Sequence, residues 1–340
     1  MSEFSALLDI ARSGRPLSRA EMRAATDHLL AGGLADDDIA AFLIALKARG
    51  ETVDEIVAAA EAMRARALKV DAPKDAIDTC GTGGDGAHTL NVSTAAAFIV
   101  AGCGVPVAKH GNRAASSRSG TADVLAALGV NIEAAPETTA RAIREAKVGF
   151  MWASLHHKAF AQVAAVRKKI GVRTIFNALG PLTNPAGARR QLMGVYDRAL
   201  CEPLARALVA LGSAHVWAVA GEDGLDELTT TGASVVCEAT PAAVRSFMVT
   251  PEAAGLARAS PADLKGGDPA ENAEALRRLL AGERGPYRDI AVLNAAAALI
   301  IAGKAADLRA GARLAAQSID GGHAQAALDR LVAISNGRDE

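Results

Sequence analysis

Two short apolar segments that each run directly into a polar, glycine-containing loop are the feature that most restricts the fold of this chain. The segment "DAIDTC" (75–80) leads into "GTGGDG" (81–86), and "VPVAKH" (105–110) leads into "GNRAASSRSGT" (111–121). A helical pattern follows each loop, first "VSTAAAFIVAGCG" and then "GTADVLAALG". Strands that alternate with helices predict a mostly parallel sheet, in which both loops lie at the same edge.

The rest of the chain divides into a helical part and a part in which strands and helices alternate. Residues 1–70 contain only helical patterns, with capping-box pairs at Ser18–Glu21 and Thr52–Glu55. Later strand candidates are "VGFMWA", "RQLMGVY", "HVWAVAG" and "ASVVCEA". We predict an α/β fold with a small all-helical N-terminal domain over 1–70, which helices from about 160–180 join. A larger α/β domain with a mostly parallel central sheet is predicted over 71–340.

Composition and charge exclude several classes of protein. With 50% hydrophobic residues and a formal net charge of −1, the chain can bury a large core but lacks the basic excess of a general nucleic-acid binder. The four cysteines form no C-x-x-C pair, and the N-terminal residues do not have the pattern of a signal peptide. We therefore expect a cytoplasmic protein with reduced thiols and with no membrane or nucleic-acid partner.

The spacing of Gly81, Gly83 and Gly86 matches G-x-G-x-x-G, the fingerprint of dinucleotide-binding turns. That interpretation needs a helix starting at the third glycine and an acid about 20 residues later to bind the ribose. The helical pattern begins later, near Ser93, and the expected acid position offers Lys109 instead. Both requirements fail, so the spacing alone does not indicate a nicotinamide site.

The glycine loop is instead typical of a phosphate or diphosphate site. Backbone N–H groups and hydroxyls at the start of a helix bind anions, and Thr89, Asn91, Ser93 and Thr94 supply such donors here. Asp85 would then need a cation or a sugar hydroxyl as its partner. An ordinary tight turn with a helix N-cap is the alternative, and it would be favoured if this loop stood alone.

A second polar loop argues against that alternative. The stretch "KHGNRAASSRSGT" concentrates anion donors immediately after a buried strand. A solvated basic loop would explain its charge, but it would not explain why the donors follow the strand so directly.

Read together, the two loops and three further motifs resemble the anthranilate phosphoribosyltransferase family over almost the whole chain. The motifs are "DTCGTGGDG", "NVSTAAAF", "VAKHGNRAASSRSGTADVLAALG", "VRTIFNALGPLTNP" and "GEDGLDEL", in the family's order. The resemblance implies transfer of the 5-phosphoribosyl group of phosphoribosyl diphosphate (PRPP) to anthranilate in tryptophan biosynthesis, with release of diphosphate. It also implies the family's two-domain fold, with the active site in the cleft between the domains, and a homodimer formed through the helical domain.

The resemblance also implies the roles of individual residues. It assigns two Mg²⁺ ions per subunit, with Ser93, Asp226 and Glu227 as ligands, and it assigns no catalytic acid, base or nucleophile. The anthranilate site would comprise Gly81, His110, Asn112 and Arg167, near the Gly180–Pro181 turn. The residues implied to bind PRPP are Gly81, Gly84, Asp85, Thr89, Asn91, Val92, Ser93, Thr94, Lys109, Asn112, Arg113, Ala114, Ala115, Ser116, Ser117 and Thr121.

These residue types suit the implied chemistry. A hydroxyl and adjacent carboxylates suit Mg²⁺, which prefers oxygen ligands, although "LDEL" alone is more often a solvated acidic turn. A guanidinium such as that of Arg167 suits the anthranilate carboxylate, although a basic cluster at a helix end commonly just complements the helix dipole. His156 and His157 lack flanking acid or cysteine ligands, so we interpret them as ordinary polar or substrate-channel residues.

Two other functions are compatible with the same architecture, and three positions depart from the family pattern. A pyrimidine nucleoside phosphorylase-like enzyme would need nucleoside contacts in place of "KHGNRAASS". A non-catalytic, nucleic-acid-binding relative would be expected to have a basic surface and to lack the acid pair. Prolines often stand in the family where this chain has Ser154 and Lys158, and a histidine where it has Ala220. The first two departures bear on the shape of the anthranilate channel.

Overall fold

The computed structural model describes residues 2–114 and 118–338, and its N-terminal part is a bundle of four helices. These are α1 (Glu3–Arg12), α2 (Arg19–Ala31), α3 (Asp36–Arg49) and α4 (Val53–Arg66). Both predicted capping boxes are present, at the starts of α2 and α4. Glu55 of the second box is fully buried, and it accepts hydrogen bonds from Leu17 N at 2.9 Å and Arg49 Nη2 at 2.6 Å. The hydrogen bond from Leu17 fixes α4 against the connection between α1 and α2, and the ion pair fixes it against the end of α3.

A seven-stranded sheet forms the centre of the rest of the chain, with the strand order β3-β2-β1-β4-β5-β6-β7. Strands β1 to β5 are parallel, whereas β6 and β7 are antiparallel, so the prediction of a mostly parallel sheet is confirmed. Strand β7 was not predicted, because it is largely exposed and Arg245 and Ser246 interrupt its apolar pattern. The strands are β1 (Ile77–Gly81), β2 (Val107–Gly111), β3 (Val148–Trp152), β4 (Arg190–Gly194), β5 (His215–Gly221), β6 (Ser234–Ala239) and β7 (Val244–Val249).

Eleven further helices of the described residues pack around the sheet or connect its strands. The most buried are α5, which follows the glycine loop, and α13, which packs on it and contributes mainly alanine, leucine and isoleucine to the core. The helices are α5 (Val92–Gly102), α6 (Thr121–Ala127), α7 (Pro136–Glu145), α8 (Ala153–His156), α9 (Ala161–Ile170), α10 (Phe176–Leu179), α11 (Cys201–Ala210), α12 (Pro269–Leu280), α13 (Pro286–Ile301), α14 (Leu308–Asp320) and α15 (His323–Ser335).

Helix α9 lies against the N-terminal bundle, although it follows β3 in the chain. Val163 and Val166 are buried in the same apolar core as Phe42 of α3. Gln162 Nε2 donates to the carbonyl of Leu34 at 2.8 Å, and Lys169 Nζ lies 2.5 Å from Asp36 Oδ2. The segment between β3 and β4 therefore joins the bundle to the edge of the sheet at which the parallel strands end.

Two features of the chain bear on its environment. The four cysteines carry free thiols, and three of them are buried. Among the residues that the structure describes, no helix is both long enough and apolar enough to cross a membrane.

Candidate functional site

The two polar loops meet at one edge of the sheet, as predicted. Strands β1 and β2 are adjacent and parallel, with Ile77 opposite Val107, so the loops that follow them leave the sheet side by side. Strand β1 pairs with β4 on its other side, and β4 pairs in parallel with β5. The turn after β5 carries Asp226 and Glu227 to the same edge. Open α/β sheets bind their ligands at this edge, in the crevice outside the carboxyl ends of the strands.

The glycine loop is built around the carboxylate of Asp226. Gly83 N donates a hydrogen bond to Asp226 Oδ2 at 2.7 Å, and Gly83 and Gly84 adopt positive φ angles of 66° and 78°. A Cβ atom at Gly81 would overlap the same carboxylate, and one at Gly194 of β4 would overlap the Asp226 carbonyl. Glycine at these positions therefore permits the close approach of Asp226. Helix α5 begins only at Val92, beyond the end of the loop, which differs from a dinucleotide turn.

Asp226 and Glu227 form a partly buried acid pair whose negative charge is incompletely balanced. Glu227 is 9% exposed, and its Oε1 accepts a hydrogen bond from Ser93 N at 3.1 Å. Burial raises the pKa of Glu227 to about 7. Burial and the neighbouring carboxylates of Glu227 and Asp85 raise the pKa of Asp226 well above its ordinary value. Such repulsion between carboxylates favours either a proton or a cation between them.

Lys109 is a buried cation that interacts with the acid pair. Its ammonium group donates to the carbonyl of Thr79 and lies 3.3 Å from Ser93 Oγ. Burial lowers the pKa of Lys109, whereas the carboxylates of Asp78, Glu227 and Asp226 act in the opposite direction. The single positive charge of Lys109 thus faces several carboxylates, so the ionised site has an excess of negative charge. The hydroxyl of Ser93 and the two carboxylates form an oxygen donor set that fits Mg²⁺.

Three buried nitrogen atoms beside this edge have no hydrogen-bond partner within the described residues: His110 Nε2, His157 Nε2 and Arg167 Nε. The rings of His110 and His157 are in edge-to-face contact, with centroids 5.3 Å apart. Burial lowers the pKa of His110 well below its ordinary value and that of His157 to about 4, so both rings are neutral at neutral pH. Because Nδ1 of neutral His110 lies 3.2 Å from the Gly180 carbonyl and donates to it, its Nε2 is a free acceptor, whereas Arg167 Nε is a donor. Unsatisfied buried polar atoms are costly unless a ligand pairs with them.

Two contacts of its guanidinium group, with Asn177 and with Phe160, hold Arg167 of α9 in place. Its Nη2 donates to Asn177 Oδ1 at 2.9 Å, and the guanidinium lies over the ring of Phe160, 5.6 Å from the centroid. Burial lowers the pKa of Arg167, but a guanidinium remains charged at neutral pH. Its buried Nε–H is therefore a fixed, charged donor that has no partner among the described residues.

The second loop is organised by Asp123 of α6. One carboxylate oxygen accepts from Ala114 N at 3.0 Å and Gly120 N at 3.1 Å, and the other accepts from Arg113 Nη1 at 2.8 Å. Asn112 Oδ1 accepts from Trp152 Nε1 at 3.0 Å and Ser154 Oγ at 3.3 Å. The predicted residues Ala115, Ser116 and Ser117 lie outside the described residues.

The remaining predicted residues lie around the start of α5. Thr94 Oγ1 donates to Thr121 Oγ1 at 3.3 Å, which links α5 to the end of the second loop. Asn91 accepts from Asn272 Nδ2 at 2.9 Å and from the hydroxyl of Tyr287 at 3.1 Å, and Thr89 forms a β-bridge with Lys265. Val92 is buried beneath the loop.

Sequence reasoning missed three residues that support the site. Asp78 is fully buried in β1, and it accepts from His110 N at 3.1 Å and from Asn184 Nδ2 at 2.7 Å. Arg173 stacks on Tyr196, 4.2 Å from the ring centroid, and donates to the carbonyl of Gly84. The signal for Asp78 was an acid inside an apolar strand, whereas the signal for Arg173 and Asn184 was their place in the motif "VRTIFNALGPLTNP".

The three departures from the family pattern lie at different distances from the predicted ligands. Ser154 contacts Asn112 directly through its hydroxyl, as described above. Lys158 is exposed, and Ala220 is buried within β5. Only Ser154 therefore touches a residue predicted to bind substrate.

Comparison with known proteins identifies the class of this chain as a glycosyl transferase. Residues 5–67 match the model of the glycosyl transferase family helical bundle domain, and residues 73–325 match that of the family's a/b domain. An anthranilate phosphoribosyltransferase from Beijerinckia indica is 57% identical over 99% of this chain and 98% of the relative. One from Parvibaculum lavamentivorans is 56% identical over 100% of this chain and 99% of the relative. The chain belongs to the anthranilate phosphoribosyltransferase family.

Solved structures of this family share the fold. Anthranilate phosphoribosyltransferase from Thermus thermophilus superimposes with a TM-score of 0.92 at 44% identity, over 97% of this chain and 99% of that chain. The enzyme from Saccharomyces cerevisiae in complex with PRPP and Mg superimposes with a TM-score of 0.89 at 28% identity, over 98% of both chains. The predicted fold class and family resemblance are thereby confirmed.

Proposed function

We propose that this chain transfers the 5-phosphoribosyl group of PRPP to the amine of anthranilate, forming N-(5-phosphoribosyl)anthranilate and diphosphate in tryptophan biosynthesis. The observation that carries the proposal is the acid pair Asp226–Glu227, which the glycine loop and Ser93 N contact at the edge of the sheet where the parallel strands end. The yeast relative whose structure contains PRPP and Mg supports the same assignment.

The glycine loop and the second loop are the proposed PRPP site. Positive-φ glycines turn the first loop so that backbone N–H groups can approach a phosphate closely. Asp123 holds the backbone of the second loop and one nitrogen of Arg113, whose remaining N–H groups would supply donors from the other side. The proposed contacts are those that the family resemblance implies, from Gly81 to Thr94 and from Lys109 to Thr121.

Ser93, Asp226 and Glu227 are the proposed Mg²⁺ ligands, and we expect two ions per subunit. Bound Mg²⁺ would neutralise charge on the departing diphosphate. The excess of carboxylates over Lys109 supports a divalent cation, and Lys109 would keep Ser93 Oγ in position. The raised pKa values indicate that the carboxylates would release any proton as the cation binds.

His110, Asn112 and Arg167 are proposed to orient anthranilate next to the PRPP ribose, with the backbone at Gly81 on the other side. Arg167 would bind the carboxylate through its free Nε–H. The neutral rings of His110 and His157 would contact the aromatic acceptor without adding charge. An aromatic amine is unprotonated at neutral pH, so the site needs positioning and charge stabilisation rather than a strong general base.

Anthranilate fluorescence provides the direct test of this function. We expect fluorescence to decrease when PRPP and Mg²⁺ are both added, and to remain constant when either is omitted. Phosphate-dependent cleavage of uridine in the same assay series would instead identify a pyrimidine nucleoside phosphorylase-like enzyme. Salt-dependent RNA or DNA binding without turnover would identify the non-catalytic relative.

Replacing Arg167 by alanine is expected to weaken anthranilate binding more than PRPP binding. A hydrogen bond to a charged group contributes about 1.5–3 kcal/mol, so the apparent KM for anthranilate should rise by roughly tenfold to 100-fold. Lys168→Ala is the matched control, because it removes one exposed positive charge from the same helix. Steady-state kinetics with each substrate varied in turn would measure the effect. Equal increases for both substrates would assign Arg167 a structural role.

The chain is also proposed to form a homodimer through the helical domain. Ile44 of α3 is 48% exposed, and Ala40, Ala41 and Ala45 beside it are only partly buried, so α3 has an apolar strip available for a second copy. Ile44→Glu should produce a monomer, because a buried interface does not accommodate an unpaired charge. Light scattering after size-exclusion chromatography would measure the mass. Met248→Glu, at an equally exposed position on β7, should leave the mass unchanged.

We also propose a division of the chain into two domains and a cellular location. The contacts of α9 with α3 support a helical domain made of residues 1–70 and about 160–180, with the α/β domain formed by the rest of 71–340. Free, mostly buried cysteines support a reducing compartment, the cytoplasm.

A further inference from the structure

A cavity lined by four arginines lies between α13, α14 and the loop at residues 254–256. Its volume is about 570 Å³, within the range of small-molecule sites. The charged side chains that line it are Arg284, Arg288, Arg309, Arg313, Asp289 and Asp320. The lining therefore carries four positive and two negative formal charges, an excess of two positive charges in a chain whose net charge is −1.

Among the residues that the structure describes, only one of these arginines is neutralised by an ion pair. Arg288 is 8% exposed, donates to the carbonyl of Gly282 at 3.1 Å, and forms a 2.8 Å ion pair with Asp320. Burial raises the pKa of Asp289, and the nearby Arg288 and Arg284 oppose that shift. Arg309 and Arg313, one turn apart on α14, are both exposed and make no carboxylate contact within the described part of the chain.

The cations of the cavity outnumber the acids at the starts of the two helices. Arg309 lies in the first turn of α14, whose N-cap is Asp307, and Arg284 immediately precedes the N-cap of α13, whose first turn contains Asp289. Cations near a helix N-terminus oppose the positive end of the helix dipole, and adjacent guanidinium groups repel one another. An anion in the cavity would offset both effects through charge-assisted hydrogen bonds.

The cavity is separate from the proposed active site. None of its lining residues belongs to the PRPP, metal or anthranilate sets. Helix α13 separates the two sites, because Tyr287 contacts Asn91 and Asn294 contacts Leu228 on the active-site side. Arg288, Asp289 and Val292 of the same helix line the cavity.

We propose that this cavity is a second ligand site, which binds a small molecule carrying at least two negative charges as phosphate or carboxylate groups. Arg309 and Arg313 bind the anion, together with Arg284, and the Arg288–Asp320 ion pair forms the floor. The size of the cavity favours a small anion over a nucleic acid, which binds along an extended basic surface.

Isothermal titration calorimetry in Mg²⁺-free buffer tests the proposal, with inorganic triphosphate and citrate as separate probes for the full chain. We expect saturable binding of at least one probe, and the preferred probe identifies phosphate or carboxylate as the recognised group. Arg309→Ala/Arg313→Ala should weaken that binding at least tenfold, while the affinity for PRPP with Mg²⁺ stays unchanged. The matched control Arg330→Ala/Arg338→Ala removes two exposed arginines elsewhere and should retain binding.

Several results would overturn the proposal. The first is that neither probe binds saturably up to about 10 mM. The second is that both double variants weaken probe binding equally. The third is that Arg309→Ala/Arg313→Ala weakens PRPP binding in parallel, which would place the probe in the active site. Arginine-dependent binding of single-stranded RNA without binding of either small anion would also overturn it. Thermal unfolding checks that Arg309→Ala/Arg313→Ala is folded. Arg313→Gln alone is a milder variant, and we expect it to bind the same probe more weakly than the parent chain does.

Discussion

Replacing Asp226 by asparagine and Glu227 by glutamine together is expected to reduce turnover by about 10³-fold or more without unfolding the chain. Losing one charge-stabilising group at a reacting centre costs about 10²–10³ in rate, and this change removes two. Asparagine keeps an oxygen that can accept from Gly83 N, and glutamine keeps one for Ser93 N, so the loops should hold their positions.

The same variant gives an independent thermodynamic measurement. The pKa values of both acids are raised in the folded chain, so stability falls as the pH rises above their ordinary unfolded-state values, and the loss is complete above the raised values. Neutral isosteres remove that cost at neutral pH, and the melting temperature without Mg²⁺ should therefore stay the same or rise. Glu222→Gln, in the same turn and exposed, is the control that should leave turnover unchanged. Turnover at the parent rate at every Mg²⁺ concentration would refute the metal assignment.

Gly81→Ala is expected to lower kcat by about 100-fold, although it adds a single methyl group. The added Cβ would overlap the Asp226 carboxylate, which Gly83 N and the neighbouring Gly194 prevent from moving freely. Displacing a catalytic constellation by about 1 Å can cost about 10²-fold in rate. The Mg²⁺ concentration needed for half-maximal activity should rise as well, because the displaced carboxylate is a proposed metal ligand.

Gly232→Ala controls for the general effect of replacing a glycine. The nearest atom to its added Cβ is Glu222 Oε2 at 3.8 Å, an ordinary contact, so activity should be unaffected. A Gly81→Ala variant with normal kcat and normal Mg²⁺ dependence would show that the exact position of Asp226 is unimportant.

The fold was largely predictable because its signals are local. Capping boxes, the apolar segments of β1 to β6 and the glycines between them each depend on a few adjacent residues. Strand β7 was missed because its position at the exposed end of the sheet, rather than its own sequence, makes it a strand.

The site was less predictable because its members come from distant parts of the chain. Local chemistry indicated an anion site after β1 and β2, but only the family resemblance connected Arg167, Asp226 and Glu227 to it. Arg173 and Asn184 lie within the family motif "VRTIFNALGPLTNP", but the resemblance gave them no role. Their roles arise from tertiary contacts with Asp78 and Gly84, which no spacing in the sequence encodes.

The division of the site between two structural parts has a consequence for how such an enzyme can change. The proposed PRPP and metal ligands come from the α/β domain, whereas Arg167, Phe160 and Asn177 come from the segment that leaves the sheet to join the bundle. Ser154 and Lys158, where this chain differs from its family, also lie in that segment. Of the proposed anthranilate residues, Arg167 lies in this segment, whereas Gly81, His110 and Asn112 lie in the loops proposed to bind PRPP. We therefore expect substitutions in residues 153–180 to change acceptor specificity with less effect on PRPP binding than substitutions in those loops.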